Sequence, residues 1–487
     1  MLNSTDAANV RRYCNTGKFK RTLLTVTSCL ALGFLTTSSL AVAQESPQGN
    51  TSAQSGSTNA SSSGFQGHHW HRQPHHHRQG IGSGNGSASS SGSTASTSST
   101  DSSSTDSSST DSSSTDTSST TTATTSSIDG NGTGVPAVTS TVTTTGAASP
   151  LKVSGTKLVD ATGKTVVLHG VAKMGTEYMC EGGGVFDNSG WGSDDNSPPG
   201  TNFMQALASW KVNVVRIPLA EDCWLNTNGV ATGGTAYQTP IIAFVKQLNT
   251  AGIYVILDLH VVEYNASQGP QRYDMADTDH SLAFWTSVAN TFKGDNAVIF
   301  DLYNEPQNID AACWLNGGCT TSQGYQAAGM QQMLNNVRAT GASNVVMIGG
   351  LDDAGEASAW VSNPPKDTLN PSQLAVSWHA YDVGFTWNCG SFDASCLDPD
   401  FASDLAGTPS TYPVITGEFG EIDTCASEDS FVNAIMTYLD GLGESYVAWT
   451  FNINSSCPGP YLISDSSGTP LPIAATAIKA HYLSGSR

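Results

Sequence analysis

Between residues 168 and 449 the chain repeats one pattern eight times: a short run of β-branched and apolar residues, then a longer stretch that is in most repeats amphipathic. The runs are 168–171, 212–217, 254–259, 298–303, 345–348, 375–378, 414–416 and 446–449. They are mostly apolar rather than alternating, so they are expected to be buried on both faces, as parallel strands covered by helices are. Helical patterns stand at 203–210, 239–249, 281–292, 322–338 and 430–442, and 473–483 closes the chain. Eight strands, each followed by a crossover, point to an α/β fold, the (β/α)8 TIM barrel. The alternative is a doubly wound open sheet. It would want a Gly-rich turn after the first strand, and the stretch from Gly170 to Gly175 lacks the GxGxxG spacing. Ahead of the barrel, 151–153 and 157–159 turn through 160–163 and return at 166–168, the pattern of a short β-hairpin.

Nothing before residue 148 has this character. Residues 81–147 are almost wholly Ser, Thr, Gly, Ala and Asp, with Asp-Ser-Ser-Ser-Thr written three times from Asp101. Such a segment has too little apolar area to offset its ordering entropy, so a disordered linker is expected. Residues 44–80 form a polar, His-rich segment around His68, His69, His71 and His75 to His77, a composition that binds transition metals weakly or serves only as a titrating tail. Residues 1–43 read as an export signal: Arg11, Arg12, Lys18, Lys20 and Arg21 precede an apolar run of about 22–35, and Ala41-Val42-Ala43 offers a cleavage site. No later segment is long and apolar enough to span a bilayer, so a secreted product without a membrane anchor is expected.

Removing the signal takes away five basic side chains and one acidic one, which moves the formal net charge from −21 to −25. Nucleic acid and anionic membrane are poor partners for so acidic a chain. A neutral polysaccharide or oligosaccharide fits, and the product is expected to act as a monomer. Eight cysteines remain, an even number suited to an oxidising compartment. Cys313 with Cys319 and Cys389 with Cys396 are near enough to close short loops, and Cys180–Cys223 and Cys425–Cys457 are the expected long-range pairs. A zinc site would want a CxxC pair, which is missing.

In a barrel of this kind, polar residues at the C-terminal ends of the strands are the candidates for chemistry. Those ends hold Arg216-Ile-Pro218, Asp258-Leu-His260, Asn304-Glu305-Pro306, His379-Ala-Tyr381, Glu418-Phe-Gly420 and Trp449. Each has a bland reading when taken alone: a solvated loop acid, a structural ion pair, a satisfied core histidine, a barrel-filling indole. Taken together they suit one reaction. Glu305 and Glu418 stand on the fourth and seventh strands, and two facing carboxylates are what glycosidic bond cleavage needs, one protonated to release the leaving oxygen and one ionised to attack or stabilise the sugar carbon. Arg216 and Tyr381 are expected to keep Glu418 ionised, and Glu305, with fewer cationic neighbours, to keep its proton. Pro306 is expected to end the fourth strand.

The run Ile299-Phe-Asp-Leu-Tyr-Asn304-Glu305-Pro306, with His379-x-Tyr381 and Gly417-Glu418-Phe419-Gly420, resembles the signature of glycoside hydrolase family 5, the cellulase family, over residues 150–487. The resemblance implies a retaining mechanism: Glu418 as nucleophile, Glu305 as acid and then base, and carboxyl groups about 5–5.5 Å apart. It further implies that Asn304 binds the sugar 2-hydroxyl, Tyr381 orients Glu418, Trp449 underlies the sugar, and His260 and His379 bind hydroxyls or tune the acids. Arg216 completes the set, and neither cofactor nor metal is called for. Asp258 is expected to support His260 or face the barrel interior. Glu177, Glu263 and Glu421 are loop acids within possible reach of sugar, and Trp191, Trp224, Trp378 and Trp387 either stack on further sugar rings or fill loops.

The leading function is therefore a secreted endo-β-1,4-glucanase, with β-mannan, xyloglucan or exo-acting variants as alternatives on the same residues. A non-catalytic carbohydrate-binding barrel is the reading from another class. Retention of both Glu305 and Glu418 argues against it. An acidic pH optimum is expected from the low pI of about 4.6 and from the need for a protonated Glu305.

Overall fold

The computed structural model describes residues 146–180, 203–262, 272–382, 394–425, 429–454 and 459–485. The expected signal, His-rich segment and linker fall outside the described residues, apart from the last two positions of the linker.

All eight runs form strands, and the strands close. A small hairpin, β1 (Lys152–Ser154) and β2 (Lys157–Val159), precedes the barrel strands β3 (His169–Ala172), β4 (Val214–Ala220), β5 (Tyr254–Val261) and β6 (Val298–Asp301). A second hairpin, β7 (Gly317–Thr320) and β8 (Gln326–Ala328), follows, and then β9 (Val346–Gly349), β10 (Leu374–Tyr381), β11 (Val414–Gly420) and β12 (Ser445–Ala448). β3, β4, β5, β6, β9, β10, β11 and β12 pair in that order, each parallel to the next, and β12 pairs with β3. The expected TIM barrel is the observed fold.

Strand alternation decides what the barrel holds. Ala172, Val214, Ile256, Ile299, Met347, Ala375, Ile415 and Val447, one from each barrel strand, meet in a single buried cluster. Leu151, Val153 and Leu158 of the N-terminal hairpin join it. The amides of Leu151 and Val153 bond Asn296 O (2.9 Å) and Gln373 Oε1 (2.7 Å), groups that precede β6 and β10, so the hairpin seals the N-terminal end of the barrel. The opposite faces of the strands, with Val215, Leu257, Phe300, Ile348 and Trp378, pack against the surrounding helices. Burial of each such aliphatic side chain contributes about 1.5–3 kcal/mol. Two residues beyond Val214, Ile256 and Ile299, strand period brings Arg216, Asp258 and Asp301 inward, one layer nearer the C-terminal mouth.

Helices α1 (Phe203–Ser209), α2 (Glu221–Leu225), α3 (Thr235–Thr250), α4 (Ser281–Phe292), α5 (Ala311–Asn316), α6 (Met330–Ala339) and α7 (Ser358–Ser362) follow in order. Ala394–Asp404, Ser430–Leu442 and Ala474–Ser484 complete the described helices.

Three local expectations are corrected. The first hairpin turns at Gly155, which adopts φ 61°, and the later turn through 160–163 leads only to one bridge, Val159 with Thr165. The helix expected from residue 322 starts at Met330. Its first part is instead the return strand β8, reached through Gly324 at φ 95°, and Gly317 and Gly329 lie so close that a Cβ on either would strike the other's backbone. β6 ends at Asp301, not at Pro306; beyond it the amides of Leu302 and Asn304 still bond Met347 O at 3.1 Å and Leu259 O at 3.0 Å.

Of the expected disulfides, Cys180–Cys223 and Cys313–Cys319 are formed. The other two pairings involve Cys389 and Cys457, outside the described residues.

Candidate active site

The eight candidate residues converge at the mouth. Arg216 is the hub: wholly buried, it is held by several acceptors that the forked donors of its guanidinium satisfy at once. Nη1 donates to Glu418 Oε1 at 2.6 Å and Nη2 to Asn304 Oδ1 at 2.8 Å. Nε and Nη2 both donate to Asp301 Oδ2, at 3.1 and 3.0 Å, and Nη2 lies 2.9 Å from Asp258 Oδ2. Burial by itself lowers the pKa of the guanidinium, but the fields of Asp258, Asp301 and Glu418 outweigh it and raise it. Burial likewise lifts Asp258 and Asp301 well above the usual carboxylate range, against the attraction of Arg216.

Glu418 is gripped from two sides. Opposite Arg216, the Tyr381 hydroxyl donates to Oε2 at 2.6 Å. Burial, and then the charge of Glu418, push Tyr381 well above its ordinary pKa, so it stays a donor. Both groups are expected partners of Glu418.

Glu305 does not have the neighbours expected of it. Its Oε1 lies 3.0 Å from His379 Nδ1, and its Oε2 lies 2.7 Å from Arg272 Nη1 in an ion pair without hydrogen-bond alignment. The premise of fewer cationic neighbours is thus corrected: a second arginine, also 3.3 Å from Asp353 Oδ1, reaches this carboxylate from the segment that follows β5. One oxygen each of Glu305 and Glu418 and one His379 ring nitrogen all lie within 4.8 Å of one another.

The two histidines are buried neutral. Desolvation drives each pKa down to about 3 in spite of the carboxylates nearby. His260 Nδ1 is 2.7 Å from Asp258 Oδ2, so Asp258 supports His260 as expected. Trp449 lies parallel to the His260 ring, with centroids 5.4 Å apart and planes inclined by 4°. Asn304 points its amide nitrogen away from Arg216, since its oxygen is the acceptor, and this buried Nδ2 has no hydrogen-bond partner among the described residues.

Sequence reading missed Arg272 and Asp301. It also left open several residues that the structure places elsewhere. Trp224 and Trp378 are fully buried, their indole nitrogens spent on Ser287 Oγ and Gly355 O, so neither is a sugar platform. Glu177 is buried against its own turn, where Oε2 accepts the Gly175 amide at 2.8 Å, and Glu421 is buried as well. Glu263, Trp191 and Trp387 lie outside the described residues.

The family model described as Cellulase (glycosyl hydrolase family 5) matches residues 159–455. An endoglucanase of Neurospora crassa is 31% identical over 160 residues, 33% of this chain and 38% of that protein. An endoglucanase of a Microbulbifer species is 21% identical over 307 residues, 62% of this chain and 50% of its own length. A xyloglucan-specific endo-β-1,4-glucanase of Bacteroides ovatus is 27% identical over 259 residues, 51% and 48% of the two chains. The chain thus spans half or less of the length of these curated relatives. Among solved structures, a β-glucanase of Saccharophagus degradans in complex with cellotetraose shares the fold, with a TM-score of 0.54, 21% identity and coverage of 71% of this chain and 96% of that one. The family match spans the barrel from β2 to the segment beyond β12, and the chain belongs to the cellulase family, glycosyl hydrolase family 5.

Proposed function

We propose that the chain is a secreted, retaining β-1,4-glucanase that cuts cellulose-like glucan by double displacement, with Glu418 as nucleophile and Glu305 as acid and base. The observation that carries the reading is the closeness of Glu305 and Glu418, an oxygen of each lying within 4.8 Å. Retaining enzymes hold their carboxyls about 5–5.5 Å apart, whereas inverting ones need about 6.5–9.5 Å to admit a water between carboxylate and sugar.

In the first step Glu418 attacks the anomeric carbon and forms a glycosyl ester while Glu305 gives its proton to the departing glycosidic oxygen. In the second, Glu305 takes a proton from water, the water oxygen bonds to the anomeric carbon, and the ester bond to Glu418 breaks. Arg216 and Tyr381 fix both oxygens of Glu418, so the nucleophile needs no reorientation before attack. The Asn304 amide, its oxygen already engaged by Arg216, offers Nδ2 to a sugar hydroxyl. Trp449, braced by His260, gives an apolar face for the ring being cleaved.

The test is reducing-sugar release from carboxymethylcellulose, mixed-linkage β-glucan, glucomannan, galactomannan and xyloglucan, with Glu418→Ala in parallel. Release from the β-glucans that disappears in the variant supports the reading. Release confined to mannans or xyloglucan moves the substrate within the family. Equal, negligible release by both proteins on every polymer overturns it.

A further inference from the structure

A second group of buried acids lies outside this site, where the connections after β4 and β5 meet. Glu221 and Asp222 open α2 and are fully buried, and Asp277, 4% exposed, precedes α4. Asp277 ties down the chain entering α4: its Oδ1 accepts the amides of His280 at 2.6 Å and Ser281 at 3.2 Å. Ser281 Oγ donates to Glu221 Oε2 at 2.5 Å and accepts the Asp277 amide at 3.0 Å. Asp222 Oδ1 accepts Thr227 Oγ1 at 2.6 Å and Asn228 Nδ2 at 2.8 Å.

Those bonds leave Glu221 Oε1, Asp222 Oδ2 and His280 Nδ1 buried without a hydrogen-bond partner among the described residues. No lysine or arginine among the described residues forms an ion pair with these three carboxylates; the nearest cationic group is His280, whose Nδ1 is 3.8 Å from Asp277 Oδ2, beyond hydrogen-bond reach. One ligating atom each from Glu221, Asp277 and His280 falls within 4.8 Å of the others. Facing carboxylates buried in this way need something positive between them. A proton shared by Glu221 and Asp277 would serve that pair but would leave the imidazole nitrogen unused. One divalent ion set among Glu221, Asp277 and His280 serves all three.

We propose that Glu221, Asp277 and His280, with Asp222 beside them, bind a divalent transition-metal ion. Mixed carboxylate and imidazole donors select a first-row ion such as Zn2+ or Mn2+ over Ca2+, which takes oxygen ligands. His280, with its side chain 26% exposed, gives the ion an entry path and room for water ligands. The role is structural. The ion ties the start of α2 to the segment 272–280, which carries Arg272 and so reaches Glu305, and Asp277 also bridges Ala327 of β8. The site does not depend on the proposed glucanase activity.

The test uses the full chain with the six histidines from His68 to His77 changed to serine, which removes the competing tract. After chelator treatment, Zn2+, Mn2+ and Ca2+ are titrated separately, with metal content and thermal midpoint as readouts. One Zn2+ or Mn2+ per chain is expected, with a raised midpoint. His280→Gln, at a partly exposed side chain, is expected to weaken binding at least tenfold with the metal-free midpoint unchanged, and Glu221→Gln to abolish it. Binding that neither substitution weakens, or no ion and no shift in the midpoint with any of the three metals, overturns the proposal and assigns the cluster to a shared proton.

Discussion

The Tyr381 hydroxyl donates to Glu418 Oε2 at 2.6 Å, on the side of the carboxylate away from Arg216. A hydrogen bond to a charged group contributes about 1.5–3 kcal/mol. Tyr381→Phe keeps the ring and removes this donor alone. The expected result is a fall in kcat of roughly ten- to a hundredfold with little change in KM, because Glu418 loses a positioning contact while the sugar keeps its own. Steady-state kinetics on a soluble β-glucan measure this, and an unchanged kcat would remove Tyr381 from the reaction.

Arg216 supports the fold as well as the proposed chemistry, since it is the shared cation of Glu418, Asp258 and Asp301. Arg216→Met leaves three buried carboxylates without it. Loss of one member of a buried ion pair costs about 3–5 kcal/mol. Urea unfolding of the variant should show a loss of that order, and Arg216→Lys should recover only part of it, because an ammonium cannot reproduce the forked contacts to Asp301. A variant as stable as the parent would mean that the acids take up protons instead.

The sequence made the strands legible because each is a mostly apolar run without alternation, and it made Arg216, His260, Asn304, Glu305, His379, Tyr381, Glu418 and Trp449 legible as candidates because strand ends in a barrel share one rim. Asp301 was hidden in plain view: it reads as one more strand residue until the register shows it two positions above Ile299, facing Arg216. Arg272 left no signal, since it stands in a connection with no periodicity and its partner Glu305 is 33 positions away. The β7–β8 hairpin was missed because the Gly317–Gly329 approach that accompanies it brings together the first residue of β7 and the residue after β8, a contact that no periodicity signals.

The roles proposed for Glu418 and Glu305 are separable by a small anion. Azide needs no general base and fits where a truncated side chain has been. With Glu418→Ala, azide is expected to attack directly and give the inverted glycosyl azide from an activated β-glucoside. With Glu305→Ala, it is expected to intercept the ester on Glu418 and give the retained one. NMR of the products distinguishes them, and the opposite pairing would exchange the two roles.

The Cys180–Cys223 disulfide spans 43 positions and joins the segments after β3 and β4. A loop of that length corresponds to roughly 4 kcal/mol of unfolded-state entropy in the chain-entropy model. The double variant Cys180→Ser, Cys223→Ser should lose about 2–5 kcal/mol in chemical denaturation. A loss below about 1 kcal/mol would place the stability of this rim in packing.

Glu177 gives a pH dependence of defined sign. Burial raises its pKa from 4.5 to about 8, with the Gly175 amide offsetting only part of that. Between those values the folded chain holds a proton on Glu177 that the unfolded chain has released. Stability from this group is therefore complete below about pH 4.5 and declines as pH rises toward 8. His260 and His379 act in the opposite sense: each folded pKa is about 3 against 6.5 unfolded, so their contribution is lost as pH falls through that interval. Glu177→Gln isolates the first effect. Glutamine still offers an oxygen to the Gly175 amide but never ionises, and the histidine terms are common to both proteins and cancel. The variant is expected to match the parent near pH 4.5 and to gain on it by a few kcal/mol by pH 8, in urea unfolding at half-unit steps. Parallel profiles across that range would mean that Glu177 is ionised in the folded chain, with a cation such as Lys173 close enough to hold it so.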